Sequence, residues 1–171
     1  MIGIINYGSG NVQAIANIYN RTNFQYKIIQ DPEQLKNVDK LILPGVGDFD
    51  ETIKVLDSSG LRNALNEEVL VKKKPVLGIC VGMQIMAESS EEGTLDGLGW
   101  IKGRVKKFDI SWFKQKPYLP HMGWNTFTPK IEHPIFLNLD SEQGFYFVHS
   151  YYYECADDSN ILATSDYGIE F

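Results

Sequence analysis

The short segment around Cys80 constrains this chain more than any other stretch of its sequence. An apolar run leads into it, Gly78 and Gly82 lie two positions before and after the cysteine, and a helix-like pattern follows. This order is typical of a nucleophile elbow, a sharp strand-to-helix turn whose central residue has strained backbone angles and small neighbours. A thiolate near a helix amino terminus is stabilised by the helix dipole, so Cys80 is the predicted nucleophile. The alternative is an inert cysteine buried at the end of a core strand.

Strand-like and helix-like segments alternate along the first half of the chain. Four apolar runs predict strands, at residues 2–6, 24–29, 40–43 and 75–79. Such alternation implies crossover connections, so we predict an α/β fold with a mostly parallel sheet flanked by helices. Ligands bind beyond the carboxyl ends of the strands in these sheets. Asn11, the loop at residues 45–47 and Cys80 each follow such an end, and we expect them to meet at one edge.

The loop Pro44-Gly45-Val46-Gly47 follows the third predicted strand and has two glycines around a valine. Its amides are free of side-chain obstruction and can turn toward a developing negative charge, which makes it a candidate oxyanion hole. The alternative is an ordinary strand-to-helix turn. The glycine-rich turn at residues 7–11 lacks the spacing and the Lys-Ser/Thr pair of a phosphate loop, which disfavours nucleotide binding.

The second half of the chain has a different pattern. Residues 99–108 predict a hairpin or short antiparallel strands, 118–125 a loop, 145–154 two aromatic strands around His149, and 161–166 a further strand. Ahead of them, the elbow helix is expected to include Ile85 and Met86 and to have acidic residues at its carboxyl end. Because no repeat or linker divides the chain, we predict a single domain over residues 1–171 with a small antiparallel extension.

Composition excludes several classes of partner. The 171-residue chain has a formal charge of −6, which argues against non-specific binding to nucleic acid. No apolar run approaches membrane-spanning length, and the start of the chain lacks the pattern of a signal peptide, so no membrane partner is expected. For the two cysteines, Cys80 and Cys155, a reducing cytoplasm is the simplest setting.

The elbow at residues 78–84, taken with the loop at residues 44–47, resembles the class I, or triad-type, glutamine amidotransferases. Within that family, the turn at 7–11 and the segments at 119–125 and 145–151 resemble the glutaminase subunits of imidazole glycerol phosphate synthases. The resemblance runs over the whole chain and implies a flavodoxin-like fold. It also implies that glutamine is hydrolysed through a cysteine thioester and that the ammonia passes to a (β/α)8 barrel synthase subunit. Neither a metal nor a cofactor is implied.

The resemblance also implies roles for particular residues. Cys80 would be the nucleophile, and the amide of Val81 with the loop Gly45-Val46-Gly47 would form the oxyanion hole. Four residues would hold the glutamine: Gln84, Glu92, Ser150 and Tyr151. Glu92 suits the substrate ammonium because it is a carboxylate. Four others fall where the family meets its barrel partner: Asn11, His121, Met122 and Trp124.

One part of the family pattern is missing from these residues. The catalytic histidine and glutamate of the family lie in a His-Pro-Glu segment, whereas His133-Pro134 is followed here by Ile135. His149 is a poor candidate for the base because the resemblance makes it a structural or substrate-side residue. We expect an amidotransferase that lacks its carboxyl-terminal segment here. The alternatives are a shortened relative that only binds its partner, or the glutaminase partner of a related amidotransferase in surface-sugar synthesis.

Overall fold

The computed structural model describes residues 1–112, 119–140 and 142–171. The helices and strands, in chain order, are β1 (Ile2–Ile5), α1 (Val12–Thr22), β2 (Tyr26–Ile29), β3 (Lys40–Gly45), α2 (Phe49–Ser58), α3 (Arg62–Asn66), β4 (Val76–Cys80), α4 (Val81–Gln84), β5 (Ser89–Ser90), β6 (Gly103–Lys107), β7 (His121–Asn125), β8 (Thr128–Pro129), β9 (Phe145–His149), β10 (Tyr151–Cys155) and β11 (Ala163–Thr164). A π-helical turn, Glu67–Val71, continues α3, and short 3-10 turns lie at Pro32–Asn37, Ile110–Trp112, Pro134–Phe136 and Asp158–Asn160.

The first four strands form one parallel sheet in the order β2-β1-β3-β4. This confirms the predicted α/β class with a mostly parallel sheet. The register places Gly45, the last residue of β3, directly beside Cys80, the last residue of β4. The carboxyl ends of these two strands therefore meet, as the alternation of strands and helices predicted.

Helices cover both faces of this sheet. On one face α1 packs Val12 and Ala16 against Ile4, and the Asn11 side chain caps α1 by accepting the Ala14 amide at 3.0 Å. On the other face, α2 and α3 pack against alternate strand residues such as Ile5 and Leu43. The alternation of side chains along each strand sends Ile4 and Ile5 to opposite faces, so both are fully buried. The helices cover the edge strand β4 less completely, and the Leu77 and Ile79 side chains there are exposed.

The elbow helix is shorter than predicted, because α4 ends at Gln84. The carbonyl groups that would continue its hydrogen bonds are used elsewhere: Ile85 O accepts from Leu98 N at 2.7 Å and Met86 O from Trp100 N at 2.9 Å. The chain turns instead into β5. The acidic residues that follow therefore do not lie at the end of a long helix.

The second half forms small sheets. Residues 99–108, predicted as a hairpin or short antiparallel strands, contribute one strand, β6, which pairs antiparallel with β10 and parallel with β5; the antiparallel alternative is therefore confirmed and the hairpin is not. Residues 121–125 were predicted as a loop but form β7, antiparallel to β9, because each residue finds a partner 20 or more positions away. Residue 118 of that prediction lies outside the described residues. The two aromatic strands around His149 are confirmed as β9 and β10, whereas the strand predicted at 161–166 is only β11.

An aromatic cluster around Phe108 forms the core of the second half. Its ring packs against His149, Tyr152 and Phe171 with centroid separations of 4.9 to 5.3 Å. No helix in the described ranges is long and apolar enough to cross a membrane.

Candidate active site

Cys80 lies at a strained turn between β4 and α4. Its backbone angles are φ 56° and ψ −124°, a region that residues other than glycine rarely adopt, and the residue is exposed. Strain of this kind persists only where the surrounding structure fixes it, and it places the side chain above the carboxyl end of the sheet. The backbone therefore has the geometry of a nucleophile elbow.

The glycines around Cys80 are required by close backbone contacts. A Cβ on Gly78 would lie 2.5 Å from the Cα of Met83, and one on Gly82 would collide with the carbonyl oxygen of Leu43. A Cβ on Gly45 would in turn collide with the amide nitrogen of Gly82. Since the nearest obstructing atom at each of these glycines belongs to the backbone, it cannot move aside cheaply. These contacts press the end of β3 against the start of α4 and bring Gly45, Cys80 and Val81 together.

The loop after β3 has a defined set of hydrogen bonds. The Ser9 hydroxyl accepts from the Val46 amide at 3.0 Å and donates to the Val46 carbonyl at 3.2 Å. The Tyr7 hydroxyl donates to the Pro44 carbonyl at 2.6 Å. Burial raises the pKa of Tyr7 to about 12, although the Ser9 side chain acts to lower it. Neither Tyr7 nor Ser9 was singled out from the sequence, where both lie in a glycine-rich turn that precedes the loop by 37 residues.

Glu92 lies near two other acidic residues, Asp48 and Asp50, at the start of α2. Its Oε2 accepts the Phe49 amide at 3.0 Å. Burial raises the pKa of the Glu92 carboxyl, and the negative charges of Asp48 and Asp50 add to the rise, while the Phe49 amide opposes it. Three carboxylates at this position create a local negative potential, which favours a cation. The sequence alone marked only Glu92 for that role.

The other predicted substrate residues lie on three different elements. Gln84 is buried at the end of α4, Ser150 lies between β9 and β10, and Tyr151 is the first residue of β10. Burial raises the pKa of Tyr151, and the charge of Glu92 adds to the rise, so these two side chains are close enough to interact. Glu92 and Tyr151, from elements far apart in sequence, therefore lie near each other.

Of the four residues predicted at a partner interface, three are exposed. Met122 is 60% exposed and Trp124 73% exposed on the outer face of β7, and Asn11 is exposed at the start of α1. His121 is only 3% exposed, because the alternation along β7 turns it toward the aromatic cluster. It therefore has almost no surface to offer a partner directly.

The buried His121 forms a chain of hydrogen bonds with His149. His149 Nδ1 donates to the Tyr151 carbonyl at 2.7 Å, so its Nε2 accepts from His121 Nδ1 at 2.9 Å, and His121 Nε2 accepts from Asn125 at 3.3 Å. Burial is the main cause that lowers the pKa of both rings, for His121 to about 4 with His149 adding to the effect. Both rings are neutral at pH 7, and the ring nitrogens of both are engaged in these hydrogen bonds.

The third histidine, His133, forms a local hydrogen bond. His133 Nδ1 accepts the Ile135 amide at 3.2 Å and caps a 3-10 turn. Over residues 1–112, 119–140 and 142–171, no hydrogen bond joins Cys80 to a histidine.

A strained cysteine between glycines, beside a glycine-rich strand end on a parallel α/β sheet, defines an elbow-type amidotransferase or hydrolase. A family model described as "Glutamine amidotransferase class-I" matches residues 3–171, and this chain belongs to that family. It is 48% identical over all 171 residues to a protein of Leptospira interrogans named imidazole glycerol phosphate synthase subunit HisH, and it covers 84% of that protein. The protein of the same name from Bdellovibrio bacteriovorus is 44% identical, with the same coverage.

Solved structures with low sequence identity share the fold. A structure titled as a glutamine amidotransferase superposes with a TM-score of 0.66 at 15% identity and covers 95% of this chain and 78% of its own. A glutamine amidotransferase from Thermotoga maritima gives 0.62 at 17% identity, with coverages of 96% and 66%. These likenesses confirm the predicted amidotransferase-type fold.

Proposed function

We propose that this chain is the glutamine-hydrolysing subunit of an imidazole glycerol phosphate synthase, with Cys80 as its nucleophile. The observation that carries the proposal is the strained backbone of Cys80 beside Gly45 at the carboxyl edge of the sheet. The similarity to subunits named HisH, at up to 48% identity over the whole chain, supports the choice of synthase.

In the proposed reaction, the Cys80 thiolate attacks the side-chain amide carbon of glutamine. The carbonyl oxygen becomes an oxyanion that accepts hydrogen bonds from the amides of Val81 and Val46. The tetrahedral intermediate collapses as the nitrogen, having taken up a proton, leaves as ammonia, and a glutamyl thioester remains. Water then hydrolyses the thioester, which releases glutamate and regenerates the thiol. The ammonia passes to a barrel synthase, whose products would be imidazole glycerol phosphate and an aminoimidazole carboxamide ribotide.

The base for this reaction is proposed to come from outside residues 1–171. His121 and His149 bond to each other and His133 caps its own turn, so the three histidines have other structural tasks. The family resemblance assigns the role to a His-Pro-Glu segment, which these residues do not contain. A histidine oriented by a carboxylate would take the proton of Cys80 and return it to the leaving nitrogen.

For substrate binding, we propose that Glu92 pairs with the glutamine ammonium. The neighbouring Asp48 and Asp50 raise the negative potential there, which supports this role. Gln84, Ser150 and Tyr151 would fix the rest of the substrate. The exposed Met122 and Trp124, together with Asn11, would contact the barrel partner in the cytoplasm.

The test replaces one cysteine at a time in the full-length chain, in complex with the barrel subunit. Cys80→Ser should lower glutamine hydrolysis by at least about a thousandfold, because the hydroxyl is a far weaker nucleophile in a site built for a thiolate. Cys155→Ser is the matched control, since Cys155 lies on β10 in the antiparallel part. A diazo-ketone norleucine should label the wild type and Cys155→Ser at Cys80, as read by peptide mass spectrometry.

Retained activity in Cys80→Ser would refute the assignment of the nucleophile. A wild-type complex that neither hydrolyses glutamine nor takes up the label, yet binds the barrel tightly, would instead establish a pseudo-amidotransferase that serves only as a binding subunit.

A further inference from the structure

Glu92, the residue proposed to bind the substrate ammonium, lies in a turn after β5 and not within a helix or strand. A turn holds a side chain less precisely than a regular element does, so its position depends on supporting contacts. Two hydrogen bonds act on Glu92 directly. Its amide donates to the Ser90 hydroxyl oxygen at 3.1 Å, and its Oε2 accepts the Phe49 amide at 3.0 Å. The Glu92 carboxylate therefore lies against the amino end of α2.

Asp50, the second residue of α2, holds the segment that follows Glu92. Its Oδ1 accepts the amides of Thr94 and Leu95, each at 3.0 Å, and its Oδ2 accepts the Thr94 hydroxyl at 3.2 Å. The Thr94 and Leu95 amides hold the pKa of the Asp50 carboxyl below its usual range. These bonds join residues 44 and 45 positions apart, so they tie the turn to the helix.

Gly93 lies between Glu92 and Thr94 and makes room for the Asp50 carboxylate. A Cβ on Gly93 would collide with Asp50 Oδ1. The φ of Gly93 lies outside the left-handed region that favours glycine, so this position needs glycine for space and not for its backbone conformation. The close approach of Asp50 is therefore a specific feature of the Glu92 turn.

We propose that Asp50 is a positioning residue that clamps the Glu92 turn onto α2, so that Glu92 meets the α-ammonium of glutamine and the site selects substrates that have one. The inference rests on the proposed function, in which Glu92 binds that ammonium. Asp50 acts through the turn, because both of its oxygens are engaged with Thr94 and Leu95. Loss of the clamp frees the turn and weakens the ammonium contact, while the elbow around Cys80 stays unchanged.

The experiment measures kcat and KM for two substrates, with the full-length chain in complex with the barrel subunit. One substrate is glutamine, and the other is glutaramate, which is glutamine without its α-amino group. The ratio of the two kcat/KM values reports the ammonium contact, because both substrates have the same reacting amide. Asp50→Ala should lower this ratio on the order of tenfold, through a higher KM for glutamine and with kcat within about twofold. A merely structural loss would lower both kcat/KM values equally, and that result would overturn the proposal.

Asp50→Asn separates the position of the turn from the charge of the carboxylate. The side-chain oxygen of asparagine can accept both the Thr94 and the Leu95 amide, as Oδ1 does here, so the clamp is kept while the charge is lost. The ratio should stay within about threefold of the wild-type value. A ratio as low as that of Asp50→Ala would show that Asp50 acts by its charge alone, which would contradict a positioning role.

Gly93→Ala tests the clamp from the other side. Its added Cβ displaces the Asp50 carboxylate without removing it, so the ratio should fall as it does in Asp50→Ala. A wild-type ratio in Gly93→Ala would count against the clamp, because the hydrogen bonds from Asp50 would then be dispensable.

Asn66→Ala is the matched control. The Asn66 Oδ1 accepts the indole N–H of Trp100 at 2.7 Å, so it ties the same segment to α3 at a point farther from Glu92. Its loss should lower the melting temperature of the chain and leave the ratio unchanged. An equal fall of the ratio in Asn66→Ala would indicate a general loosening of the segment and would overturn a specific role for Asp50.

Two measurements separate a failure of this inference from a failure of the proposed function. An unchanged ratio in Glu92→Gln would contradict the proposed ammonium contact and this inference with it, whereas a fall in Glu92→Gln but not in Asp50→Ala would contradict this inference alone. Should no form hydrolyse glutamine, hydrogen exchange of the Thr94 and Leu95 amides decides the question. Faster exchange in Asp50→Ala than in Asp50→Asn supports the clamp, and equal exchange refutes it.

Discussion

Residues 1–98 and residues 99–171 are stabilised by different kinds of side chain. In the first region, aliphatic side chains such as Ile5, Leu43 and Ile53 form one large core between the parallel sheet and its helices. In the second, rings pack around Phe108 beneath sheets of only two or three strands. The first region fixes backbone positions closely, and the second leaves one face of its strands exposed.

This difference separates the proposed catalytic site from the proposed recognition surface. An elbow needs a closely held backbone, which the glycine contacts of the parallel region supply. A docking surface needs exposed apolar side chains on a firm support. The β7-β9 sheet has both, since Met122 and Trp124 face outward while His121 is anchored underneath.

The largest effect is expected from Gly82→Ala, which tests how tightly the parallel region is held. The added Cβ would collide with the Leu43 carbonyl oxygen, and strand backbone cannot withdraw without separating β3 from its neighbours. We expect the free energy of unfolding to fall by about 3 kcal/mol or more, together with loss of glutamine hydrolysis. Urea unfolding of the full-length chain measures the first quantity.

Gly99→Ala is the control for that measurement. Gly99 has a φ of +62° with nothing within 4 Å of an added Cβ, so only backbone strain of about 1 kcal/mol is expected. Equal losses in the two variants would show that the close packing at Gly82 contributes nothing beyond the general cost of replacing glycine.

The second prediction concerns the free energy of unfolding at acidic pH. It tests the aromatic region, because His121 and His149 both lie there. Burial lowers the pKa of His121 to about 4 and lowers that of His149, so both stay neutral in the folded chain. Below about pH 6.5 the unfolded chain protonates His121, whereas the folded chain does so only near pH 4. Stability should therefore be full above pH 6.5 and fall as the pH drops toward 4, by up to about 1.4 kcal/mol per pH unit for His121, and the lowered pKa of His149 adds to the fall in the same direction.

The check is the free energy of unfolding measured by urea titration at several pH values. His121→Gln should remove about one proton from the difference between the folded and unfolded states and so flatten the profile. His133→Gln, at an exposed histidine outside the His121–His149 hydrogen bonds, is the matched control. A profile as steep in His121→Gln as in the wild type would assign the acid sensitivity to other groups.

Much of the parallel region could be predicted because its signals are local. Apolar runs predicted the four strands, and the spacing of glycines around Cys80 predicted the elbow. Each signal lies within a short stretch of chain, where backbone preference and side-chain size act directly. The roles of the predicted site residues stay predictions until the variants are measured.

The features that were missed depend on contacts between distant segments. The elbow helix ends early because residues 97–101 take its carbonyl groups, which no propensity in residues 81–92 reveals. Strand β7 was taken for a loop because Gly123 interrupts it, and only its pairing with β9 makes it regular. The signal that could have predicted this strand is the alternation along it, in which His121 faces inward and Met122 and Trp124 face outward. Ser9 was missed because its partner is 37 residues away.

The smallest effect is expected at the surface of the aromatic region. Trp124 is 73% exposed and packs edge-on against Tyr146 with ring centroids 6.0 Å apart, so the indole is held in place without being buried. A preorganised exposed tryptophan is the kind of residue that dominates protein interfaces. Trp124→Ala should therefore weaken binding to the barrel partner about tenfold, or about 1.4 kcal/mol, while the melting temperature of the chain changes little. Isothermal titration calorimetry measures the affinity.

Leu137→Ala distinguishes a specific contact from general loss of apolar surface. Leu137 is 75% exposed but lies after the 3-10 turn at Pro134–Phe136, outside the β7-β9 sheet. Its removal should leave the affinity within about twofold, since a scattered exposed leucine has no required partner. If the two variants bind equally well, the outer face of β7 is not the docking surface. The division between a catalytic parallel region and a recognition region would then have to be drawn elsewhere on the molecule.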